Sequence, residues 1–319
     1  MIKYYLLYLI IIFTNIILCN EKIQFLSANP FSFNHIIQSL DSQISQEVYG
    51  ILKLPINFKE NQKYALVIGV AGSLDWKDHH REQLEMYREN GIATFELHSF
   101  NSRGIESTVG TQISVTTAML ILDSYKALDV LANHKNIDKD NVGIVGWSLG
   151  GGTALFSGWK PLIEAISPKN NFAAHLAYYP PCIIIPTNTE FTDAPIQILI
   201  GADDDWTPAL ACEELVKLIN KDNINLIIYE NSHHSFDSKL KLRYVENGYS
   251  LTDCRFSLRD DGSVLMNFLG IPMSYPILQK ISLGLCASRG TTIEGNSIAR
   301  VKALNISLDF MLKNLLDIK

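Results

Sequence analysis

The segment 146–152 constrains this chain more than any other part of its sequence. It reads GWSLGGG and directly follows Val142–Val145, a β-rich apolar run typical of a buried strand. A G-x-S-x-G motif between a strand and a helix holds its serine on a tight turn, with the hydroxyl exposed at the edge of a sheet. Larger side chains two positions to either side would collide, so the turn needs both glycines. We therefore predict Ser148 as a nucleophile. The alternative is a structural turn whose serine caps the following helix.

Strands and helices alternate along the rest of the chain. The predicted strands are 46–54, 64–70, 93–97, 142–146, 174–178, 196–201 and 226–229. The predicted helices are 80–90, 112–133, a segment that starts at Ser148, 208–220 and 297–316. This alternation predicts an α/β fold with a mostly parallel central sheet and helices on both faces. We expect residues 20–319 to form a single domain, in which the less regular segment 238–296 is an insertion or a cap near the site.

Two further strand ends carry the residue types that a nucleophilic serine needs. The sequence GADDDWTP occupies 201–208, and ENSHHSFD occupies 230–237. A serine nucleophile needs a base, and the base needs an orienting acid. Serine, aspartate and histidine in this chain order, each at the end of a strand, match that requirement. Spacing alone does not choose among Asp203–Asp205 or between His233 and His234.

Three segments resemble the dienelactone hydrolase family: GIATFELHSFNSRG at 91–104, GADDDWTP at 201–208 and YENSHHSFD at 229–237. The resemblance covers most of residues 45–237 and the closing helix. It implies the α/β-hydrolase fold and hydrolysis of a small-molecule ester or lactone. In the family, the acid lies four residues before the proline of its loop, which implies Asp204. The family histidine directly precedes a Ser/Ala-Phe pair, which implies His234.

The chain departs from the family at two places. The founding members use a cysteine nucleophile where this chain has Ser148, so their substrate does not carry over. Many relatives also have a His-Gly pair after the strand that here occupies 64–70, and this chain has none. We expect the backbone of Val70 or Ala71 to supply one oxyanion donor and the N–H of Leu149 to supply the other.

Three more residues are predicted to contact substrate. The resemblance implies that Arg103 lies close to the site, where it would pair with a substrate carboxylate. The alternative is a structural ion pair that holds its loop. Trp147 and Trp206 flank the nucleophile and the acid, and we expect them to line an acyl pocket. The alternative is that they only pack the loops together.

The composition argues against several other classes of protein. The net charge is -6 and no Lys/Arg cluster is present, so a nucleic-acid partner is not expected. No Cys-x-x-Cys pair occurs, and the predicted chemistry needs neither a metal nor an organic cofactor. Acyltransferases, thioesterases and peptidases on the same fold remain alternatives, as does a non-catalytic binding protein. Oligomeric state is not predicted.

The first 19 residues have the layout of a secretory signal. Met1–Lys3 carries one cation, 4–18 is almost entirely apolar, and the chain turns polar at Asn20. We expect an exported protein, periplasmic or secreted, with an uncleaved or lipidated membrane anchor as the alternative.

Four cysteines follow this segment, and an even number in an oxidising compartment favours two disulfides. Three pairings are possible. We predict Cys182–Cys212 and Cys254–Cys286, with buried free thiols as the alternative.

Overall fold

The computed structural model of the chain describes residues 20–266 and 269–316. The predicted secretory signal lies outside the described residues. An eight-stranded sheet forms the centre of the fold, with the strand order β1-β2-β4-β3-β5-β6-β8-β9. Its strands are β1 Asn20–Ala28, β2 Ser45–Lys53, β3 Tyr64–Val70, β4 Ala93–Leu97, β5 Ile137–Trp147, β6 Ala174–Tyr178, β8 Ile196–Gly201 and β9 Ile224–Tyr229. Strands β1 and β2 are antiparallel to their neighbours, and the other six are parallel.

Helices cover both faces of this sheet, so the predicted α/β-hydrolase architecture is confirmed. The longer helices are α2 Asp78–Glu89, α3 Thr117–Leu131, α4 Leu149–Phe156, α6 Ala209–Ile219 and α8 Ser297–Leu316. Helices α3 and α4 pack against each other on one face, while α2 and α8 pack on the other. Two seven-residue helices, α1 Phe33–Ser39 and α5 Lys160–Ile166, complete the main body. The central strands β3, β4, β6 and β8 are buried at every residue, as expected for parallel strands covered on both sides.

The segment 238–296 forms small elements beside the carboxyl edge of the sheet. They are β10 Arg243–Ser250, β11 Phe256–Leu258, β12 Val264–Leu265, α7 Pro276–Cys286 and β13 Ser288–Ile293. β10 pairs with β13, and β11 pairs with both β12 and β7 Ile184–Pro186. Because β7 belongs to the loop after β6, this pairing joins the segment to the main body.

Both predicted disulfides are confirmed. Cys182 and Cys212 link the loop after β6 to α6, with an S–S distance of 2.08 Å. Cys254 and Cys286 link the chain before β11 to the end of α7, with an S–S distance of 2.03 Å. Within residues 20–266 and 269–316, no helix combines the length and apolar character needed to cross a bilayer.

Candidate active site

Ser148 lies on the sharp turn between β5 and α4. Its backbone has φ 56° and ψ -114°, in the left-handed region that non-glycine residues rarely occupy. The Ser148 N–H donates to Tyr178 O at 2.9 Å, which fixes the turn to the neighbouring strand β6. The strain is held by tertiary contacts, and such strained positions cluster at functional sites.

The two motif glycines meet backbone where a side chain would stand. A Cβ on Gly146 would lie 1.9 Å from Gly150 O, and a Cβ on Gly150 would lie 2.1 Å from Val70 O. Neither contact is sterically possible. The spacing of the motif is therefore a packing requirement of the turn that presents Ser148.

His234 and Asp204 complete a hydrogen-bonded chain that begins at Ser148. The Nε2 atom of His234 lies 2.9 Å from Ser148 Oγ, and its Nδ1 atom lies 2.8 Å from Asp204 Oδ2. His234 and Asp204 are only 3% and 4% exposed, whereas Ser148 is partly open to the cleft. A proton on Nδ1 donates to the carboxylate and leaves Nε2 free to accept from the serine hydroxyl.

The Asp204 carboxylate is held by its own loop. Asp204 Oδ1 accepts the backbone N–H groups of Trp206 at 2.9 Å and Thr207 at 2.8 Å. The Thr207 hydroxyl lies 3.0 Å from Asp204 Oδ2 and 3.0 Å from Tyr179 O. Thr207 had no role in the sequence prediction, although its place three residues after an acid is a typical signal of such a local bond.

The competing residues in both loops have other contacts. Asp203 is exposed, and Asp205 Oδ1 accepts the N–H of Thr292 at 2.8 Å. His233 Nδ1 lies 2.9 Å from Asp203 O, on the outer side of the loop. The structure thus joins Asp204 and His234 to Ser148, while their neighbours hold the loops.

A buried carboxylate, Asp237, connects the nucleophile strand to the histidine loop. Its Oδ2 accepts the indole N–H of Trp147 at 3.0 Å, and its Oδ1 accepts the Tyr179 hydroxyl at 2.9 Å. Burial and the nearby Asp237 raise the pKa of Tyr179 well above its ordinary value, so the phenol stays a donor. Sequence reasoning missed this network because its partners lie 90 and 58 residues apart.

Both predicted tryptophans line the cleft beside Ser148. Trp147 is fully buried and stacks on His80, with ring centroids 4.4 Å apart. Trp206 packs on the ring of His234, with centroids 5.0 Å apart. Both therefore hold parts of the site in place as well as forming its wall. The cleft has a volume of about 80 Å³ and is also lined by Gly72, Ser73, Leu74, Leu240 and Ile293.

His79 is a further residue of this cleft that the sequence did not single out. Its Nε2 atom is buried without a hydrogen-bond partner among the described residues and lies 3.8 Å from Asp237 Oδ1. Burial lowers the pKa of His79, and the Asp237 carboxylate partly offsets this effect. Among the described residues, no cluster of three or more His, Cys, Asp or Glu is arranged to hold a metal ion.

The structure does not bring Arg103 to the cleft, which corrects the expectation that it binds substrate. Its guanidinium donates to Asp123 Oδ2 at 2.7 Å and Oδ1 at 3.1 Å. It also bonds Asn29 Oδ1 and the carbonyl oxygens of Ser99 and Ala28. With its donors used inside the protein, Arg103 holds β1 and the loop after β4 against α3. This is the structural ion pair named above as the alternative.

The loop after β3 lies beside the nucleophile. Val70 and Ala71 are 1% and 3% exposed, and neither lines the cleft. Gly72 faces the nucleophile instead, since a Cβ there would lie 3.3 Å from Ser148 Cβ. The next N–H along the chain, that of Ser73, takes part in no hydrogen bond between described residues. Leu149, the first residue of α4, has an N–H without an intrahelical acceptor.

The sequence matches the model of a known protein family. The model of the dienelactone hydrolase family matches residues 84–251, more than half of the chain. A search of curated proteins finds no match.

Two solved structures resemble the chain in fold over most of its length. A dienelactone hydrolase-like promiscuous phosphotriesterase from metagenomic libraries is 12% identical, with a TM-score of 0.58 over 93% of this chain and 99% of that one. The protein named m3DLH is 14% identical, with a TM-score of 0.56 over 93% of this chain and 98% of that one. Est1E from Butyrivibrio proteoclasticus is 16% identical, with a TM-score of 0.46 over 60% of this chain and 88% of that one.

Proposed function

The chain belongs to the dienelactone hydrolase family, whose members are hydrolases acting on esters, and from this premise we propose that it cleaves carboxylic esters or lactones through an acyl-enzyme on Ser148. The observation that carries the proposal is the unbroken hydrogen-bonded chain from Ser148 Oγ through His234 to the buried Asp204. A serine hydroxyl is a weak nucleophile at its ordinary pKa, and an adjacent base is what activates it.

In the first half of the reaction, Ser148 Oγ attacks the ester carbonyl while its proton passes to His234 Nε2. The Asp204 carboxylate fixes the tautomer of the imidazole and stabilises the imidazolium that forms. The imidazolium then protonates the leaving alcohol as the ester C–O bond breaks, which leaves the acyl group on Ser148. In the second half, His234 takes a proton from water as the water attacks the acyl-enzyme, and the imidazolium then returns a proton to Ser148 Oγ as the free acid is released.

The negative oxygen of the tetrahedral intermediate needs donors already in place. We assign one donor to the N–H of Leu149, at the positive end of the α4 dipole. We assign the second to the N–H of Ser73 in place of Val70 or Ala71, because the loop 72–74 forms the cleft wall beside Ser148. Each such donor is worth about 3–4 kcal/mol of transition-state stabilisation in well-studied serine hydrolases.

Export remains part of the proposal. Disulfides persist in oxidising compartments outside the cytosol. The two disulfides of the chain are compatible with a periplasmic or secreted enzyme.

Labelling with a fluorophosphonate tests the catalytic proposal directly. The reagent should form a covalent adduct on Ser148, located by mass spectrometry of the disulfide-bonded protein. Ser148→Ala should give no adduct, and His234→Ala should give far less than the wild type. His233→Ala is the matched control and should label like the wild type. An unlabelled wild-type protein that is folded and oxidised would refute the serine mechanism and favour a binding role.

The acyl acceptor is tested separately. Release of free acid from p-nitrophenyl acetate, without transfer to added alcohols or amines, distinguishes a hydrolase from an acyltransferase. Parallel assays of thioesters and peptides, each with the Ser148→Ala control, distinguish an esterase from a thioesterase or a peptidase.

A further inference from the structure

A second cavity lies next to the His234 cleft and has Leu149, the residue after Ser148, in its wall. Its volume is about 160 Å³, and apolar side chains form most of its wall. Its lining comes from 31–33, Gln112, the start of α3, Leu149, the loop after β6 and the segment 238–296. From the last come Leu251, Phe256, Val264, Met273 and Leu283.

This cavity meets the cleft at three places. Leu149 lines the cavity and directly follows Ser148, which lines the cleft. Gln112 in the cavity wall lies with its Oε1 3.4 Å from the Ser73 hydroxyl in the cleft wall. Leu251 in the cavity donates its N–H to the carbonyl of the cleft residue Trp206 at 3.2 Å. The walls of the two spaces are therefore in contact next to the nucleophile.

The position of His234 decides which half of an ester each space receives. The imidazolium must protonate the leaving alcohol, so the alcohol departs on the side that His234 lines. His234 lines the cleft and does not line the second cavity, whereas Leu149, the assigned oxyanion donor, does line it. An acyl carbon bonded to Ser148, with its oxygen at Leu149 N–H, extends its chain away from His234 and toward this cavity.

The volume of the cavity indicates how large an acyl group it can bury. A dry cavity of about 150 Å³ lined by aliphatic and aromatic side chains accommodates one benzene molecule, which has six carbons. A cavity of about 160 Å³ is thus matched to an acyl chain of roughly six carbons. Its aliphatic and aromatic lining offers such a chain burial from water, while a charged acyl group would find no ionisable side chain among the described lining residues.

We propose that this cavity is the acyl pocket and that the preferred substrates are esters of uncharged acids of roughly six carbons. The inference rests on the proposed serine mechanism at Ser148. In this arrangement the segment 238–296 forms the roof of the pocket, and the Cys254–Cys286 disulfide fixes α7 against β11. Trp147 and Trp206 then line the alcohol side, in contrast to the sequence-based expectation of an acyl pocket at these residues.

The experiment compares two series of substrates on the full oxidised protein. In the first, the acyl group of p-nitrophenyl esters grows from acetyl to decanoyl. We expect kcat/KM to rise about fourfold for each added methylene up to about hexanoyl and then to level off or fall. In the second series, the alcohol of alkyl acetates is lengthened from ethyl to hexyl. Hydrolysis of these esters is measured by titration of the released acid.

Variants of Val264, which is half-buried in the roof, then locate the effect. Val264→Trp should lower the ratio of hexanoyl to acetyl kcat/KM at least tenfold, since the indole fills the space. Val264→Ala should move the optimum to longer acyl chains. This variant provides the test if Val264→Trp does not fold. Neither variant should change the alcohol series. Val301→Trp is the matched control, because Val301 is 56% exposed on α8.

The possible outcomes distinguish a failure of the acyl-pocket inference from a failure of the serine mechanism on which it rests. Fluorophosphonate labelling of Ser148, together with a flat or falling acyl series, would overturn the acyl pocket and leave the serine mechanism standing. An effect of the Val264 variants on the alcohol series alone would assign the cavity to the alcohol and also overturn the inference. Absence of labelling would refute the serine mechanism, and the acyl pocket with it.

Discussion

Trp147, the residue before the nucleophile, donates its indole N–H to Asp237, three residues after His234, at 3.0 Å. This bond ties the turn that carries Ser148 to the loop that carries the base. Tyr179 adds a second donor to the same carboxylate. All three residues are buried, so these bonds hold the turn and the loop in fixed positions relative to each other. The distance between Ser148 Oγ and His234 Nε2 therefore depends on a contact that involves neither atom.

Replacing Asp237 should therefore lower both stability and turnover. Asp237→Ala leaves two buried donors without an acceptor, and each orphaned donor costs about 1–3 kcal/mol of folding free energy. Loss of alignment between base and nucleophile should also reduce kcat about 10- to 100-fold. Urea unfolding and p-nitrophenyl acetate kinetics measure the two effects, with exposed Asp203→Ala as the control. A stable or fully active Asp237→Ala protein would contradict the argument.

The choice of Asp204 over its neighbours gives a second prediction. Asp204→Asn keeps the shape of the side chain but removes the negative charge that holds the His234 tautomer. Such a change in a serine triad lowers kcat about 10⁴-fold. Asp203→Asn should leave kcat within about twofold, since Asp203 is exposed and its backbone carbonyl, not its side chain, meets His233. Equal losses in the two variants would show that Asp204 has no special role.

Arg103 should matter for folding and not for binding. Arg103→Met leaves Asp123 buried without its cation, and breaking a buried pair in this way costs about 3–5 kcal/mol of stability. The double variant Arg103→Met/Asp123→Leu should recover part of that loss. The KM for neutral and carboxylate-bearing esters should stay unchanged in every variant that folds. A selective rise in KM for the carboxylate-bearing ester would restore the substrate role.

The sequence predicts the buried part of this fold well and its edges poorly. Strands such as β3 and β8 are continuous apolar runs because helices cover both faces, and such runs are visible without a structure. Strand β1 was missed because it lies at the edge of the sheet, where polar and apolar residues mix. The helix predicted over 112–133 begins later, at Thr117, because the Thr116 side chain accepts the N–H of Met119 and caps it.

The active-site residues also differ in how well the sequence predicts them. The elbow at Ser148 follows from local sterics, so its motif alone predicts the turn. The choice of Asp204 and His234 over their neighbours rests on the family resemblance. Local sequence does not decide it, because side-chain direction in a loop depends on tertiary contacts. The contacts of Arg103 and Asp237 could not be predicted from the sequence. Their partners, Asp123 and Trp147, lie 20 and 90 residues away, and no local pattern indicates either pair.

The two disulfides offer a test of the walls of the proposed acyl pocket. They span 30 and 32 residues, so loop entropy predicts a similar loss of about 3–4 kcal/mol when either is replaced by alanines. Both variants should also weaken the preference for hexanoyl over acetyl esters, because α7 carries Leu283 in the cavity wall and Cys182 lies between the lining residues Pro181 and Ile183. Thermal unfolding and the acyl series measure the two effects. An unchanged preference in both variants, each with the expected loss of stability, would contradict the assignment of this cavity to the acyl chain.

The buried His175 should make the protein less stable in mild acid. Burial lowers its pKa to about 4 from an ordinary value of 6.5, and it stays neutral beside Ala154 O and Ser157 Oγ. The unfolded chain takes up a proton below pH 6.5 while the folded chain does not, so stability that is present at neutral pH falls as the pH drops toward 4. Between pH 7.5 and 5 this single group should remove about 2 kcal/mol.

Urea unfolding of the wild type and His175→Gln at both pH values isolates this contribution from that of other acid-sensitive groups. The variant will be less stable at pH 7.5, since it disturbs a packed site, but its further loss at pH 5 should be smaller by about 2 kcal/mol. Identical losses on acidification would mean that His175 is already protonated, or accessible to solvent, in the folded protein. They would remove the burial argument on which the prediction depends.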